Sequence, residues 1–359
     1  MRSLPRNTIL LGDATARLAE LPSASVDCAI TSPPYYQLRD YGTSGQLGLE
    51  ESVDAWAEQL RVVLAEVARV LKPTGSLWLN LGDAFSRHTR YGAPPKSLLC
   101  APERLLLALV RDGWIVRNKV IWAKTNPMPS SVTDRLSLTY EVVYFLVRSP
   151  RYFFDLDAIR EPHRSQGSRS TRPRKGKPTW AGPLAASTEG LRRARAAGQP
   201  GHALGKNPGD VWPLATRGYR GAHFATFPPD VVRRPVLATC PKAICTACAR
   251  PWHRQSTIRR LGLTASPHPG RSVLRSTKHW HTVREVGDLV PCGCDAPTQP
   301  GVVLDPFFGT GTVGVVARQI GRDWLGIELN PAYVAMAWDR LGGTSPRPYE
   351  RAAPLAVAA

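Results

Sequence analysis

Short apolar runs alternate with helix-like segments at both ends of the chain, and this alternation constrains the fold more than any other feature. Residues 8–11 and 26–31 are strand candidates. Residues 53–71 form the clearest helix, because their large apolar side chains recur every three or four positions, and residues 72–75 should end it. A second strand–helix–strand–helix series begins at residue 302. The alternation predicts an α/β fold, in which a mixed, mostly parallel sheet carries helices on both faces.

The chain is strongly basic, and the excess charge is concentrated in its middle. Its 359 residues include 47 Lys and Arg against 28 Asp and Glu, a formal net charge of +19. Residues 151–235 supply 10 of these charges and also contain Trp180, Trp212 and Tyr219. Basic residues interleaved with aromatic ones suit phosphate contacts and base stacking, although a solvated basic loop is the plainer alternative. A nucleic acid is therefore the expected partner.

The sequence predicts no membrane partner. No segment reaches the roughly 18 uninterrupted apolar residues of a membrane-spanning helix, and residues 1–11 do not form a secretory signal. A cytoplasmic protein is expected. Five of the seven cysteines lie between residues 240 and 294, and in a reducing compartment such a cluster favours a metal site over disulfides.

The cysteine cluster contains two close pairs. Cys245 and Cys248 form a C-x-x-C pair, and Cys292 and Cys294 form a C-x-C pair. Four thiolates in two such pairs predict one closed tetrahedral Zn²⁺ site with a structural role, whereas unrelated thiols are the alternative. Two nearby residues remain alternative ligands: Cys240 and His253.

The block Thr31-Ser32-Pro33-Pro34-Tyr35 ends the second strand candidate. In open α/β sheets, ligands bind at the carboxyl ends of the strands. Two successive prolines remove two backbone donors and fix two φ angles, so the block forms a rigid turn with exposed carbonyl groups. A plain strand-ending turn is the alternative, but a serine before the prolines and an aromatic residue after them favour a site.

This block resembles motif IV of the amino-methylating DNA methyltransferases, which place Asp, Asn or Ser before two prolines and an aromatic residue. The resemblance implies that the Ser32 hydroxyl and the Pro33 carbonyl accept hydrogens of an exocyclic amino group, and that Tyr35 stacks on a base flipped out of the duplex. Pro34 completes the turn. The methyl group would pass directly to the amino nitrogen, so no nucleophilic cysteine is needed. The cysteines outside the cluster are expected in the core: Cys28 and Cys100.

A second block joins a strand to a helix and carries glycines at positions 309 and 311. Glycines let the backbone approach a ligand closely. Gly314 would complete the G-x-G-x-x-G pattern of dinucleotide sites, which is an alternative. The run Asp-Pro-Phe-x-Gly-x-Gly, however, is similar to motif I of the same methyltransferases. Glu328, at the end of the next strand, is similar to their motif II acid.

The resemblance implies S-adenosylmethionine as the methyl donor. Glu328 would bind the ribose hydroxyls, and Asp13 would face the adenine, although Asp13 also suits the N-cap of the helix that follows it. The resemblance assigns the following residues to the cofactor site: Asp13, Thr31, Asp305, Phe307, Phe308, Gly309, Gly311, Thr312 and Glu328.

The order of the blocks resembles the β class of this family, a circular permutation of the common order. The implied fold is the Rossmann-like mixed sheet of S-adenosylmethionine-dependent methyltransferases. The resemblance covers roughly residues 8–148 and 302–341, and residues 206–212 and 223–228 look like further family blocks. The implied regions are a catalytic half at 1–150, a basic target-recognition region at 151–235, a zinc-binding insertion at 236–298, a cofactor-binding half at 299–345 and a flexible tail at 346–359.

The preferred target is cytosine N4, because the adenine enzymes of this family more often place Asp or Asn at the position of Ser32. Adenine N6 is the first alternative. A catalytically inactive, zinc-dependent DNA-binding protein is a second alternative, and a protein or RNA methyltransferase is a minor third. The sequence leaves open whether a cognate restriction endonuclease accompanies the protein and whether it forms a homodimer.

Overall fold

The computed structural model describes residues 3–162, 204–216, 227–261 and 281–342. The chain divides into two compact units. The first unit consists of Met1–Phe154, Gly209–Pro251 and Ala296–Ala359. The second consists of Asp155–Pro208 and Trp252–Asp295.

Strands and helices alternate along the first unit. The strands of the chain are β1 (Thr8–Leu11), β2 (Val26–Thr31), β3 (Leu71–Leu81), β4 (Ile115–Lys124), β5 (Tyr140–Val147), β6 (Val211–Leu214), β7 (Ile244–Cys245), β8 (His253–Leu261), β9 (His281–Val290), β10 (Thr298–Gln299), β11 (Val302–Asp305) and β12 (Asp323–Glu328). The α-helices are α1 (Ala14–Ala19), α2 (Val53–Val70), α3 (Ala101–Arg111), α4 (Pro229–Thr239), α5 (Thr312–Gln319) and α6 (Pro331–Arg340). All of these elements except β8 and β9 belong to the first unit.

Eight strands of the first unit form one sheet, in the order β1-β12-β11-β2-β3-β5-β4-β6. Neighbouring strands are parallel except at β5, which is antiparallel to both β3 and β4. The two ends of the chain meet in the middle of the sheet, where Val303 of β11 pairs with Cys28 of β2. The predicted mixed, mostly parallel sheet is therefore confirmed.

Helices cover both faces of this sheet. Side chains of α1, α2 and α3 belong to one buried cluster, which includes Leu18, Trp56 and Leu105. Side chains of α4, α5 and α6 belong to a second buried cluster. Leu77 and Trp78, which are consecutive in β3, belong to different clusters, because successive side chains of a strand point to opposite faces. The sheet thus lies between two apolar layers, as predicted.

The structure differs from the predicted elements in two places. Residues 72–75 were expected to form a turn, but β3 begins directly after α2: Leu71 pairs with Val26, and Lys72 Nζ lies 2.7 Å from Asp27 Oδ1. The sequence pattern also did not indicate β6 or α4. Both contain a proline, Pro213 in the edge strand and Pro235 inside the helix, and proline obscures the usual signals of either element.

The second unit contains the antiparallel pair of β8 and β9. Elsewhere in this unit, Glu161 and Lys206 exchange backbone hydrogen bonds of 3.0 and 2.8 Å. Their side chains also form an ion pair of 3.2 Å. Arg254 Nε of β8 lies 3.1 Å from Asp155 Oδ2. The contact between Arg254 and Asp155 connects the two stretches of chain that form the unit.

Several predicted features lie outside the described residues. They are most of the basic region (163–203 and 217–226), which includes the start of the family-like block at 223–228, and the tail at 346–359. In the part of the chain that the structure describes, no helix is both long and apolar enough to cross a membrane.

Gly326 in β12 provides a test of how Phe308 packs against the sheet. A Cβ atom added there would lie only 2.6 Å from Phe308 Cδ1. Phe308 is buried and stacks on Trp324 with ring centroids 5.3 Å apart, so it cannot move without disturbing the core. We expect Gly326→Ala to lower the free energy of unfolding by about 1–3 kcal/mol, measured by chemical denaturation. Gly209→Ala is the control, since its Cβ would meet no atom within 4 Å; equal stability of the two variants would contradict this packing.

Candidate active site

The carboxyl ends of the parallel strands meet at one edge of the sheet. Asp13 follows β1, Glu328 ends β12, Asp305 ends β11 and Thr31 ends β2. Because β5 runs in the opposite direction, its first residues arrive at the same edge, and Glu141 is the second residue of that strand. Residues that are far apart in the sequence therefore face a common space.

Asp305 connects the two sequence blocks. Its Oδ1 accepts hydrogen bonds from Thr31 Oγ1 at 2.7 Å and from the Phe307 N–H at 3.0 Å. Burial raises the pKa of the Asp305 carboxyl to about 7, although these two hydrogen bonds lower it. Neither Thr31 nor Asp305 lines the cleft described below. They instead fix the positions of neighbouring residues that line the cleft, such as Ser32 and Phe307.

Glu328 fixes the glycine loop from the neighbouring strand. Its Oε2 accepts from the Gly309 N–H at 2.7 Å, and its Oε1 accepts from the Asn330 N–H at 2.8 Å. Burial raises the pKa of Glu328 above its usual value, while the hydrogen bonds from Asn330 and Gly309 oppose the rise. A carboxylate offers about four acceptor positions, so Glu328 can still accept a hydrogen bond from a ligand hydroxyl.

The rest of the glycine loop supports the site from below. Gly311 has a φ of 79°, which glycine adopts without strain, and forms the N-cap of α5. Thr312 is buried, and its Oγ1 accepts from Arg340 Nη1 at 3.3 Å. The same guanidinium nitrogen donates to the Thr310 carbonyl at 2.7 Å. Phe308 packs in the buried core. Phe308, Gly311 and Thr312 do not line the cleft, and their role is to shape the loop.

A cleft opens at this edge between the two sequence blocks. Six of the residues predicted for the site line it: Asp13, Ser32, Pro34, Phe307, Gly309 and Glu328. Asp13 also caps α1 by accepting from the Ala16 N–H at 2.9 Å, so both roles considered for it from the sequence are compatible with its position. Further residues that were not predicted from the sequence also line the cleft, among them Tyr41, Thr43, Gly45, Gln46, Leu47, Asn330 and Tyr333.

The missed loop at 41–47 is organised by one side chain. Gln46 Oε1 accepts from the Tyr41 N–H at 2.8 Å and from the Thr43 N–H at 3.3 Å. Gln46 Nε2 is buried and has no hydrogen-bond partner in the described structure, so a donor is left for a ligand. Together with the Asp13 and Glu328 carboxylates, this donor suits a ligand that carries hydroxyl groups, a carboxylate and a positive charge. S-adenosylmethionine has all three, and the residues present therefore fit it.

The Ser-Pro-Pro-Tyr block forms a polar corner of the cleft. Ser32 Oγ lies 2.9 Å from Tyr35 Oη, and Tyr35 Oη donates to Glu141 Oε2 at 2.6 Å. Asn80 Nδ2 donates to Tyr35 Oη at 2.7 Å and to Glu141 Oε2 at 2.8 Å. Lys124 Nζ forms an ion pair of 2.7 Å with the other Glu141 oxygen. Sequence reasoning missed Glu141, Asn80 and Lys124, since no local motif marks them.

Tyr35 is held more firmly than its predicted stacking role requires. Its ring packs on Gly82, where an added Cβ would lie 2.7 Å from Tyr35 Cε2. Burial, followed by the Glu141 carboxylate, raises the pKa of Tyr35 well above its usual value. The hydroxyl therefore keeps its proton. Pro33 is buried and does not line the cleft.

The predicted zinc ligands are Cys245, Cys248, Cys292 and Cys294. In the first unit, Cys245 lies in β7, and its N–H and carbonyl bond to Arg250 and Ala249 in a tight turn around Cys248, each at 3.0 Å. In the second unit, Cys292 and Cys294 follow β9.

The other cysteines have different environments. Cys240 is buried at the C-cap of α4, where burial raises the pKa of its thiol well above the usual value. Cys28 is buried in β2, as predicted. The prediction that Cys100 lies in the core is wrong: Cys100 is exposed, because it precedes α3 with a left-handed φ of 53° that turns the chain at the surface.

Comparison with known proteins connects this cleft with a family. Residues 26–244 and 296–339 match the N6/N4 methyltransferase family model, which is described as DNA methylase. This match covers well over half of the chain and includes both blocks of the cleft. The chain belongs to the N6/N4 DNA methylase family. It is accordingly an S-adenosylmethionine-dependent DNA methyltransferase that modifies an exocyclic amino group.

Individual relatives of this DNA methylase align over nearly its whole length. The type II methyltransferase M.XycI of Xanthomonas campestris pv. cyanopsidis is 34% identical over 94% of this chain and 88% of its own. M.Cfr9I of Citrobacter freundii is 33% identical with the same coverage. The solved structure of the cytosine-N4-specific PvuII DNA methyltransferase has 16% identity and a TM-score of 0.54, over 94% of this chain and 87% of that chain. The last similarity shows a common fold.

The raised pKa of Asp305 makes the stability of this DNA methylase depend on pH. Because the folded pKa of about 7 exceeds the ordinary 3.8, this carboxyl favours the folded state most at low pH. That contribution is lost as pH rises from about 4 through 7. Asp305→Asn retains an acceptor without a charge, so we expect the variant to gain stability relative to the parent between pH 5 and pH 8. Denaturant unfolding at both values checks this, and a constant difference would contradict it.

Proposed function

We propose that this enzyme methylates the exocyclic N4 of cytosine in double-stranded DNA, within one short recognition sequence. The observation that carries the proposal is the position of Ser32. Its hydroxyl lines the cleft at the end of β2, opposite the glycine loop and Glu328. A neutral hydroxyl at this position fits the preference of the family's cytosine enzymes.

The cofactor would lie between the two sequence blocks. Glu328 would accept hydrogen bonds from the ribose hydroxyls, and Asp13 would face the adenine. Gly309, which has no side chain, would let the methionine part of the cofactor approach the backbone closely. S-adenosylmethionine supplies an electrophilic methyl group on a positively charged sulfur. The protein's task is to hold the acceptor nitrogen in line with that group in a site that excludes water.

The target base would enter the corner formed by the Ser-Pro-Pro-Tyr block. An amino group conjugated with the ring is a weak nucleophile, because its lone pair is delocalised. The Ser32 hydroxyl, which lines the cleft, would accept one of its hydrogens, so that the lone pair is localised on nitrogen. Pro33 is buried outside the cleft, so the proposal rests on Ser32 and not on the Pro33 carbonyl. Tyr35 would stack on the base, which must leave the duplex to reach the corner.

Adenine N6 is the second candidate target, since the family includes both activities. The cytosine-N4-specific title of the PvuII neighbour supports the first candidate, whereas its 16% identity restricts that support to the fold. The type II names of M.XycI and M.Cfr9I support a cognate restriction endonuclease as a partner in a restriction–modification system.

Single-molecule sequencing of DNA from host cells that express the protein tests the proposed function. We expect N4-methylcytosine in one short motif, absent from cells with an empty vector. N6-methyladenine in its place would overturn the choice of base, and unmodified DNA would overturn the activity.

Ser32→Ala tests the proposed role of the hydroxyl. Without this acceptor, we expect the methylation rate to fall on the order of 100-fold or more, whereas the affinity for S-adenosylmethionine stays unchanged. Ser149→Ala is the matched control, because Ser149 follows β5 at the opposite edge of the sheet. A Ser32→Ala enzyme with the parent's rate would remove Ser32 from the mechanism.

We also propose that Cys245, Cys248, Cys292 and Cys294 bind one structural Zn²⁺. The support is the ligand spacing and the tight turn around Cys248. In the first unit, the chain that follows Cys294 is held near this turn, because Thr298 pairs with Cys245 in the two-stranded β7–β10 sheet. A closed site of four thiolates has no open position for a substrate, so its role would be to stabilise the fold.

Metal analysis checks the zinc proposal. We expect about one Zn²⁺ per purified chain, and its loss together with a lower melting temperature in Cys248→Ser. Cys100→Ser serves as the control, because Cys100 is an exposed cysteine outside the proposed ligand set. Protein that is fully folded without metal, or Cys248→Ser protein with its full zinc content, would rule the site out.

A further inference from the structure

A chain of hydrogen bonds runs from the cleft into the sheet and ends at a carboxylate. It comprises Ser32, Tyr35, Asn80, Glu141 and Lys124, and of these only Ser32 lines the cleft. The side chain of Glu141 is 13% exposed and that of Lys124 is 23% exposed, so the far end of the chain is largely shielded from water. Hydrogen bonds in such a shielded setting are directional and costly to break.

The proton positions along this chain are constrained by the number of protons that each group carries. An ionised carboxylate can only accept, and a tyrosine hydroxyl carries one proton. Tyr35 Oη donates that proton to Glu141 Oε2 at 2.6 Å. The same oxygen accepts from Asn80 Nδ2 at 2.8 Å, and Glu141 Oε1 pairs with Lys124 Nζ at 2.7 Å. Because the pKa of Tyr35 is raised well above its usual value by burial and by Glu141, its proton remains in place.

The position of the Tyr35 proton decides the direction of the next one. Since Tyr35 has no second proton to donate, the 2.9 Å contact between Ser32 Oγ and Tyr35 Oη requires the proton of Ser32. Asn80 Nδ2 also lies 3.3 Å from Ser32 Oγ, but its two protons are engaged by the shorter contacts to Tyr35 Oη and Glu141 Oε2. A lone pair of Ser32 Oγ is left for the cleft.

We propose that Glu141 is a positioning residue that turns the Ser32 hydroxyl proton away from the cleft and makes Ser32 an acceptor toward the target amino group. This inference rests on the proposed function, in which Ser32 accepts a hydrogen from that group. A serine hydroxyl that rotates freely can instead donate to the amino nitrogen. Such a bond would occupy the lone pair that must attack the methyl group, so a fixed direction favours the reaction.

Glu141→Gln tests this role. The amide has one acceptor oxygen for three donors, and its NH₂ group must face Tyr35, Asn80 or Lys124. We expect the single-turnover methylation rate to fall roughly 10- to 100-fold, as for loss of a hydrogen bond to a charged group. The dissociation constants for S-adenosylmethionine and for DNA should stay unchanged, because Glu141 does not line the cleft. A purely structural role would weaken binding and rate together.

The chain offers a matched control for this variant. Glu103 accepts from Tyr144 Oη at 3.3 Å and pairs with Lys119 Nζ at 2.6 Å, so it forms a Tyr–Glu–Lys group without a serine in the cleft. Glu103→Gln should methylate at the parent's rate. A loss in this control equal to that of Glu141→Gln would show a general effect on the sheet and overturn the proposal.

Tyr35→Phe provides a second variant that keeps the stacking ring. It interrupts the same chain, so we expect a similar fall in rate, and Glu141→Gln should add little to it in the double variant. A parent-like rate in Tyr35→Phe, or additive losses, would overturn the proposal even if Glu141→Gln failed to fold. The outcomes also separate the two levels of inference. A normal rate in Ser32→Ala defeats the proposed function, whereas an impaired Ser32→Ala with a normal Glu141→Gln defeats only the role of Glu141.

Discussion

A buried side-chain hydrogen bond joins the Ser-Pro-Pro-Tyr block to the glycine loop. Thr31 Oγ1 donates to Asp305 Oδ1 at 2.7 Å, across 274 positions of sequence. The contact joins the end of β2, which carries Ser32, to the end of β11, which begins the glycine loop. Since both strands are hydrogen-bonded neighbours in a packed sheet, the distance between the two blocks has little freedom. Such a fixed separation suits a reaction that depends on the alignment of two reactants.

Much of the catalytic half could be predicted from the sequence. The bounds predicted for β1 and β2 match the structure: β1 is a short apolar run, and β2 is a buried parallel strand. The helix at 53–71 was predicted to within one residue, because its apolar side chains repeat with helical spacing. Asn330 caps α6, with its side chain accepting from the Ala332 N–H at 2.9 Å, and asparagine is a residue that favours this position. Local signals of this kind survive because tertiary packing agrees with them.

The missing parts of the site depend on tertiary geometry. Nothing local distinguishes β5 from a parallel strand, yet only its reversed direction brings Glu141 to the edge where Ser32 lies. The loop at 41–47 has no periodic pattern, and its form depends on one amide, Gln46, that bonds two backbone groups. The family resemblance supplied the glycine loop and the serine block. The resemblance did not identify Asn80, Lys124 and Glu141, because these residues lie in three different strands.

The small β7–β10 sheet has a consequence for how the enzyme can diversify. Thr298 pairs with Cys245, and the Thr246 N–H donates to the Pro297 carbonyl at 2.9 Å, so the first unit holds together the points where the chain departs and returns. The entropy of closing a loop changes slowly with its length. The part of this segment between Cys248 and Cys292 can therefore be lengthened or shortened during evolution while the reaction centre keeps its geometry. β7 and β10 thus mark the two ends of a segment whose length can change.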